Sequence, residues 1–222
     1  FADRNARLAV AKAIDYQSIG DNLFEGAWIM TPVGTPWGLV WDKPPTLEQM
    51  GLDLPDADNP FVFNPERAKE LWALAGKSPG EKLQLMYTEY NATHTTYTVA
   101  LGASISDALD IEVDVFKVPD ISILYTATGF VNPDDIQNHE HMVTHTRNSG
   151  ANNATVPLAF RSDNGENYFG FRNEKIDAIG AEWSLAPDVE REKELAKAFY
   201  AELVNDLLFM PALTEASYDA QS

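Results

Sequence analysis

The sequence predicts an α/β domain, and three observations carry that prediction. "KLQLMYTE" places Leu83, Leu85 and Tyr87 at alternate positions, as a strand does. "NATHTTYTVALGASISDAL" then places Tyr97, Ala100, Leu101, Ser104, Ile105 and Ala108 at helical spacing. "IEVDVFKVP" returns to alternation, with Ile111, Val113 and Val115 set against Glu112, Asp114 and Phe116. Strand, helix and strand in that order form a unit whose default is a right-handed parallel crossover. The 222 residues are 45% hydrophobic, enough to bury a sizeable core in one large or two small domains.

The remaining elements follow in order. Asp3 caps a first helix expected to run to about Asp15, with Leu8, Ala11 and Ile14 on one face. Residues 26–60 change character: "TPVGTPWGLVWDKPP" is rich in Pro, Gly and Trp, which indicates an ordered irregular excursion. Trp28, Trp37 and Trp41 supply it with large rings. Rings in such a setting more often cover a core than stack on a ligand.

"FNPERAKELWALAG" predicts a short, sharply bounded helix. Asn64 is a favourable N-cap, and Pro65 suits the first helical position, where its missing N–H costs nothing. Ala68, Leu71, Trp72 and Ala75 form the apolar face, and Gly76 supplies the left-handed stop.

After the central unit, "ISILYTATG" from Ile121 to Gly129 reads as a further strand, and "VPLAF" as a short one. Asn173 opens a helix carrying Ile176, Ile179 and Trp183. Pro187-Asp188 starts a long charged helix with Leu195, Phe199 and Leu203 on its core face. "LLFMPAL" reads as a buried strand ended or bent by Pro211. There are no internal repeats.

Charge and composition exclude several function classes. The net charge is −18, from 34 acidic against 16 basic residues, and this repels phosphate backbones, so no nucleic-acid partner is expected. The absence of cysteine excludes disulfides, thiolate metal sites and cysteine nucleophiles. No apolar run approaches the roughly 18 residues of a membrane span. The chain starts Phe1-Ala2-Asp3-Arg4, without an initiator Met or a signal-like segment, and reads as a fragment or processed chain.

Three groups of residues invite a chemical reading. In "NHEHMVTHT", His139, His141 and His145 with Glu140 have donors suited to Zn or Ni. On a helix His141 and His145 would share a face while His139 would not, so three ligands require a loop. Solvated surface histidines are the simpler reading. Asp134 and Asp135 resemble an acid/base pair, but adjacent residues seldom hold carboxylates at the roughly 5 Å or more that glycoside hydrolysis needs. A turn after Pro133 accounts for them; in a cleft, one carboxylate could neutralise a ligand ammonium. Asn167 and Tyr168, followed by Phe169 and Phe171, could line a cleft or pack beneath the next helix. No G-x-S-x-G, phosphate loop or dinucleotide fingerprint occurs.

Taken in order, five segments resemble the C-terminal part of the family 5 extracellular solute-binding proteins, the oligopeptide, dipeptide and nickel receptors of ABC importers. "DRNARLAVAKAIDYQSI" is similar to D-x-x-x-R-x-A-x-x-x-A-I-D-x-x-x-I through Arg7, Ala13, Ile14, Asp15 and Ile19. "FVFNPERAKELWALAG" matches the A-K-x-L-x-x-x-A-G helix at Ala68, Lys69, Leu71, Ala75 and Gly76. "ISDALDIEVDVFKVP", "NYFGFRNEKIDAIGAEW" and "REKELAKAFYAELVNDLLFMPAL" resemble the later strand and helices.

The resemblance implies a type II periplasmic-binding-protein-like fold, with residues 1–222 forming one α/β lobe, a mixed sheet flanked by helices. It implies a solute-binding subunit, with a peptide or other small solute as ligand, that captures its ligand by closure against a missing N-terminal lobe and performs no chemistry. It implies delivery to a membrane permease, no cofactor, and a periplasmic or cell-surface lipoprotein location. The family's G-W-x-x-D-Y-x-x-P stretch corresponds to "GFVNPDD", where Phe130 replaces Trp and Asp134 or Asp135 stands near the aspartate. Expected ligand-binding residues are therefore Phe130, Asn132, Asp134, Asp135, Asn167 and Tyr168. The alternatives are a nickel-type receptor using the His139–His145 loop and a glycoside-type hydrolase using Asp134 and Asp135.

Overall fold

A computed structural model describes residues 3–31, 41, 45–89, 91–120, 141–144, 160–164, 167, 172–207 and 212–215. The sequence predicts one helix to about Asp15; the chain ends it at Lys12 and starts a second helix at Tyr16, which the sequence reading lacks. Helix α1 spans Arg4–Lys12 and α2 spans Tyr16–Phe24. Asp3 caps α1 through the amide of Asn5, as the sequence implies. Asp15 caps α2 by accepting from the Ser18 amide. The break leaves backbone groups that need partners, and a distant side chain supplies them. Ser104 Oγ donates to Ala13 O at 2.8 Å and accepts from the Asp15 amide at 2.9 Å.

Strand β1 (Trp28–Thr31) and a 3-10 turn at Glu48–Met50 both lie within residues 26–60, where the sequence reading has only irregular chain. Helix α3 spans Pro65–Leu74. The Asn64 side chain accepts from the Arg67 amide, Pro65 occupies the first turn, and Gly76 takes φ +74° beyond the C-terminus. Ala68, Leu71 and Trp72 are buried, as the spacing predicts.

The strand–helix–strand unit is observed. Strand β2 (Lys82–Tyr87) leads through α4 (Ala92–Leu109) to β3 (Glu112–Lys117), and the two strands pair in parallel with Lys82 opposite Glu112 and Tyr87 opposite Lys117. Gly102 is required where α4 crosses the sheet, because a Cβ there would collide with Val115 Cγ2. On the other edge of β2 lies β4 (His141–Thr144), also parallel, giving the order β3-β2-β4. The sequence reading has no strand at His141. It treats His139–His145 as a loop or helix, whereas the backbone of His141 pairs with Gln84. A four-residue parallel strand carries no hairpin signal, so only its long-range partner defines it.

Helix α5 (Glu174–Trp183) is capped by Asn173, and α6 (Val189–Asp206) by Asp188. The last strand, β5 (Ala212–Glu215), pairs antiparallel with β1. Of the strand expected over 207–213, residues 208–211 with Pro211 lie outside the described residues. The expected strand at 121–129 and residues 156–159 of the one expected at 156–160 lie outside the described residues, as does Trp37; Phe160 stands in a turn.

Among the described residues two large apolar clusters form, beside a small third one of Met86, Val118 and Phe116. The first joins α1, α2, α3, α4 and β2, with Leu8, Ile14, Leu71, Leu85 and Ile105 at its centre. The second joins α5 and α6 with Met50 and Phe160, around Phe199, Tyr200 and Leu203. Trp183 meets Phe199 edge to face with ring centroids 5.5 Å apart. Trp41 packs on the second cluster against Tyr200, and Trp28 lies over Gly20 of α2 with its Nε1 donating to Asp21. Both rings cover packed structure, the commoner of the two roles open to them.

Candidate functional site

Parallel strands all end on one side of a sheet, and that edge is where open α/β sheets place their ligands. Here the edge is the row Tyr87, Lys117 and Thr144, which stand opposite one another in the register. Helix α4 begins beside it. Asn91 caps its first turn by accepting from the His94 amide at 2.8 Å, so the positive end of an 18-residue helix is presented there.

The side chains at this edge carry both signs of charge. Glu89, just past β2, meets Lys117 Nζ at 2.6 Å, and each side chain is about half exposed. The hydrogen bond that Lys117 donates to Glu89, reinforced by the carboxylate's charge, holds the ammonium above the usual lysine range. At the opposite edge, Lys82 meets Glu112 at 2.8 Å, so cross-strand ion pairs bracket β2 and β3 at both ends. These exposed pairs set register more than stability.

His94 sits on the Tyr87 ring edge to face, with centroids 6.0 Å apart. Burial pushes the imidazole below the ordinary histidine range, opposed by a hydrogen bond with the Thr88 backbone. His94 Nδ1 and Thr95 Oγ1 are both screened from solvent without a hydrogen-bond partner. Such unmet polar atoms are uncommon in folded proteins and call for an explanation. The edge therefore holds a carboxylate, an ammonium, a neutral imidazole, a hydroxyl and helix amides.

The residues singled out from the sequence fall differently. Phe130, Asn132, Asp134, Asp135, His139, His145 and Tyr168 lie outside the described residues. Asn167 is placed in a turn, where its Nδ2 donates to Arg161 O at 3.1 Å and its amide to Asn164 O. His141 opens β4. Among the described residues, no three His, Asp or Glu side chains gather to hold a metal ion. Glu89, His94 and Lys117 were missed by sequence reasoning. Their signal was positional: each lies at or just beyond the C-terminal end of a predicted strand, or in the first turn of the helix between them.

No helix among the described residues is long and apolar enough to cross a membrane. Comparison with curated proteins gives no match. Several solved structures share the fold. One described as the peptide-binding protein of a peptide ABC transporter superposes with TM-score 0.72 at 18% identity, covering 96% of this chain and 91% of that one. Haemophilus influenzae OppA in complex with RPPGFSPFR gives 0.69 at 19% identity, over 98% of this chain and 43% of that one. Staphylococcus aureus NikA in complex with Ni(L-His)2 gives 0.67 at 17% identity, over 94% and 42%. The chain thus spans less than half the length of OppA and NikA. The fold is the type II periplasmic-binding-protein fold, of which this chain contributes helices and a small parallel sheet. The model of the bacterial extracellular solute-binding proteins, family 5 (middle region), matches residues 1–167. On that match the chain belongs to the family 5 extracellular solute-binding proteins, a family of receptors for ABC importers.

Proposed function

We propose that residues 1–222 form one lobe of a peptide-type solute receptor, which captures its ligand by closing against a second lobe and leaves it chemically unchanged. The observation that carries this is the C-terminal edge of β2 and β3, where Glu89 pairs with Lys117 and α4 begins, with His94 and Thr95 in its first turn. Glu89 would receive a peptide's α-ammonium, while Lys117 and the α4 amides would receive its carboxylate. Phe130, Asn132, Asp134, Asp135 and Tyr168 would extend the same face. Backbone hydrogen bonds and bridging water would accommodate varied side chains. Closure would present both lobes to a membrane permease, with the receptor held outside the cytoplasm as a periplasmic or lipid-anchored protein. The peptide in the OppA complex supports this choice of solute.

Calorimetry on this chain and on a protein carrying both lobes, with the same peptides, tests the proposal. One lobe buries only part of the ligand, so the chain alone should bind at least about tenfold more weakly. In the two-lobe protein, Glu89→Gln should weaken binding about 10- to 150-fold, the equivalent of one charge-assisted contact of about 1.5–3 kcal/mol. Tight binding by the single lobe, or an unchanged affinity in the variant, would contradict it.

The likeness to NikA supports a second reading, in which His139, His141 and His145 take a divalent ion. Titration with Ni(II) before and after His141→Ala decides it, and identical binding curves remove it. The hydrolase reading of Asp134 and Asp135 is not carried forward, since the family is one of receptors.

A further inference from the structure

Helix α1 carries three cations, and all three are aimed at backbone carbonyls. Arg4 Nε donates to Asn205 O at 2.7 Å. Arg7 donates to Asp206 O through Nε at 3.1 Å and Nη2 at 2.9 Å, and also meets Asp206 Oδ1 at 3.0 Å. Lys12 is 0% exposed, and its ammonium donates to the carbonyls of Asp56, Asn59 and Val62 at 2.6, 3.0 and 3.4 Å. An ammonium has three protons, and these carbonyls match them, as burial of a charge demands.

The carbonyls share an origin. Asn205 and Asp206 end α6, whose Leu195, Phe199 and Leu203 build the second apolar cluster. The segment around Asp56 to Val62 is flanked by Leu52 and contains Phe61, both packed on that same cluster, with Met50 buried inside it. Yet Ala6, Leu8, Ala9 and Val10 of α1 belong to the first cluster. One helix is thus buried in one core by its apolar face and bonded by its cations to the two segments that frame the other. Cations at the end of α6 also sit where the helix dipole is negative. Other links among the described residues are weaker or few: Leu207 reaches the first cluster, Arg67 of α3 stands 3.8 Å from the half-exposed Asp58, the Asn64 amide donates to Lys12 O, and β1 pairs with β5. A two-stranded ribbon is marginal by itself.

We infer that the cations of α1 couple the two cores, so that the described body opens as one cooperative unit and not as two. Rigidity of this kind would let ligand contacts at one sheet edge be transmitted to the whole body. The α6 terminus is tied on its other side too, where Asn173 Nδ2 donates to Glu202 Oε1 and Asp206 Oδ2. Asp206 therefore joins α1, α5 and α6 at one point.

Hydrogen exchange on the 222-residue chain in mild urea tests the inference. In the unaltered chain, the slowest amides of β2 and α4 and those of α5 and α6 should exchange through the same opening, with equal protection. In Arg7→Met/Lys12→Met, protection in α5 and α6 should fall at least tenfold further than in β2 and α4. Ile105→Val, a loss confined to the first core, should lower all of them together. An equal fall in both cores of the double variant would mean ordinary destabilisation and would overturn the inference, as would no fall. Should the double variant not fold, each single variant is measured the same way. Unequal loss supports the coupling and equal loss overturns it.

Discussion

Replacing Ser104 by Ala should expose how the break between α1 and α2 is held. The hydroxyl satisfies a carbonyl and an amide that have no helical partner there, Ala13 O and Asp15 N, at 2.8 and 2.9 Å. Removing it orphans both groups in a half-buried position, and each unsatisfied buried group costs about 1–3 kcal/mol. Partial access of water brings the sum toward about 2 kcal/mol. For a chain of this length that lowers the melting temperature by roughly 4–8 °C. Thermal and urea unfolding followed by circular dichroism measure the loss, and the urea m-value should not change. The Asp15 amide should also exchange at least about tenfold faster, because its acceptor is gone. A melting temperature within about 1 °C of the original, with Asp15 exchange unaltered, would refute the reasoning.

Three further outcomes are expected. Gly102→Ala should destabilise by about 1 kcal/mol: overpacking against Val115 outweighs the gain in helix propensity, and a stabilised variant would show that α4 can shift. His94 should make stability fall as pH drops below about 6.5, because the unfolded chain then binds a proton that the folded imidazole resists; above that pH its contribution is constant. His94→Gln should flatten that slope, and an unchanged pH profile would contradict the assignment. Tyr16→Phe should be neutral or stabilising, since the buried phenol has no partner to lose. In alkaline titration, Tyr16 should resist ionisation well above the ordinary tyrosine range, its burial disfavouring the phenolate. A loss of about 1 kcal/mol or more in the variant would reveal a bond to the hydroxyl.

The legible parts of the fold are those specified by neighbouring residues. Asn64, Asp188 and Asn173 each cap the helix that follows by bonding an amide two or three residues away, so the sequence marks those starts. The alternation of β2 and β3 gave the parallel unit for the same local reason. The break after Lys12 was hidden because the apolar periodicity continues through Ile14, and because the group that holds it lies 89 residues from Asp15. Ser104 itself had been placed on the core face by spacing; its bonds were not readable. Lys12 conceals itself similarly, since a lysine in a helix ordinarily reads as solvated. Strand β4 depends on an edge of β2 that no local pattern announces. As for the site, family likeness pointed to residues 130–168, while the described polar edge is built by Glu89, His94 and Lys117, which topology brings together across the sheet.

Hydrogen exchange of the two-lobe protein with and without saturating peptide tests the central claim most directly. Amides of residues 88–95 and 117–120 should become protected on binding, while those at the opposite sheet edge, 78–82 and 110–112, should not change. Protection confined to that opposite edge, or none at the start of α4, would contradict the account.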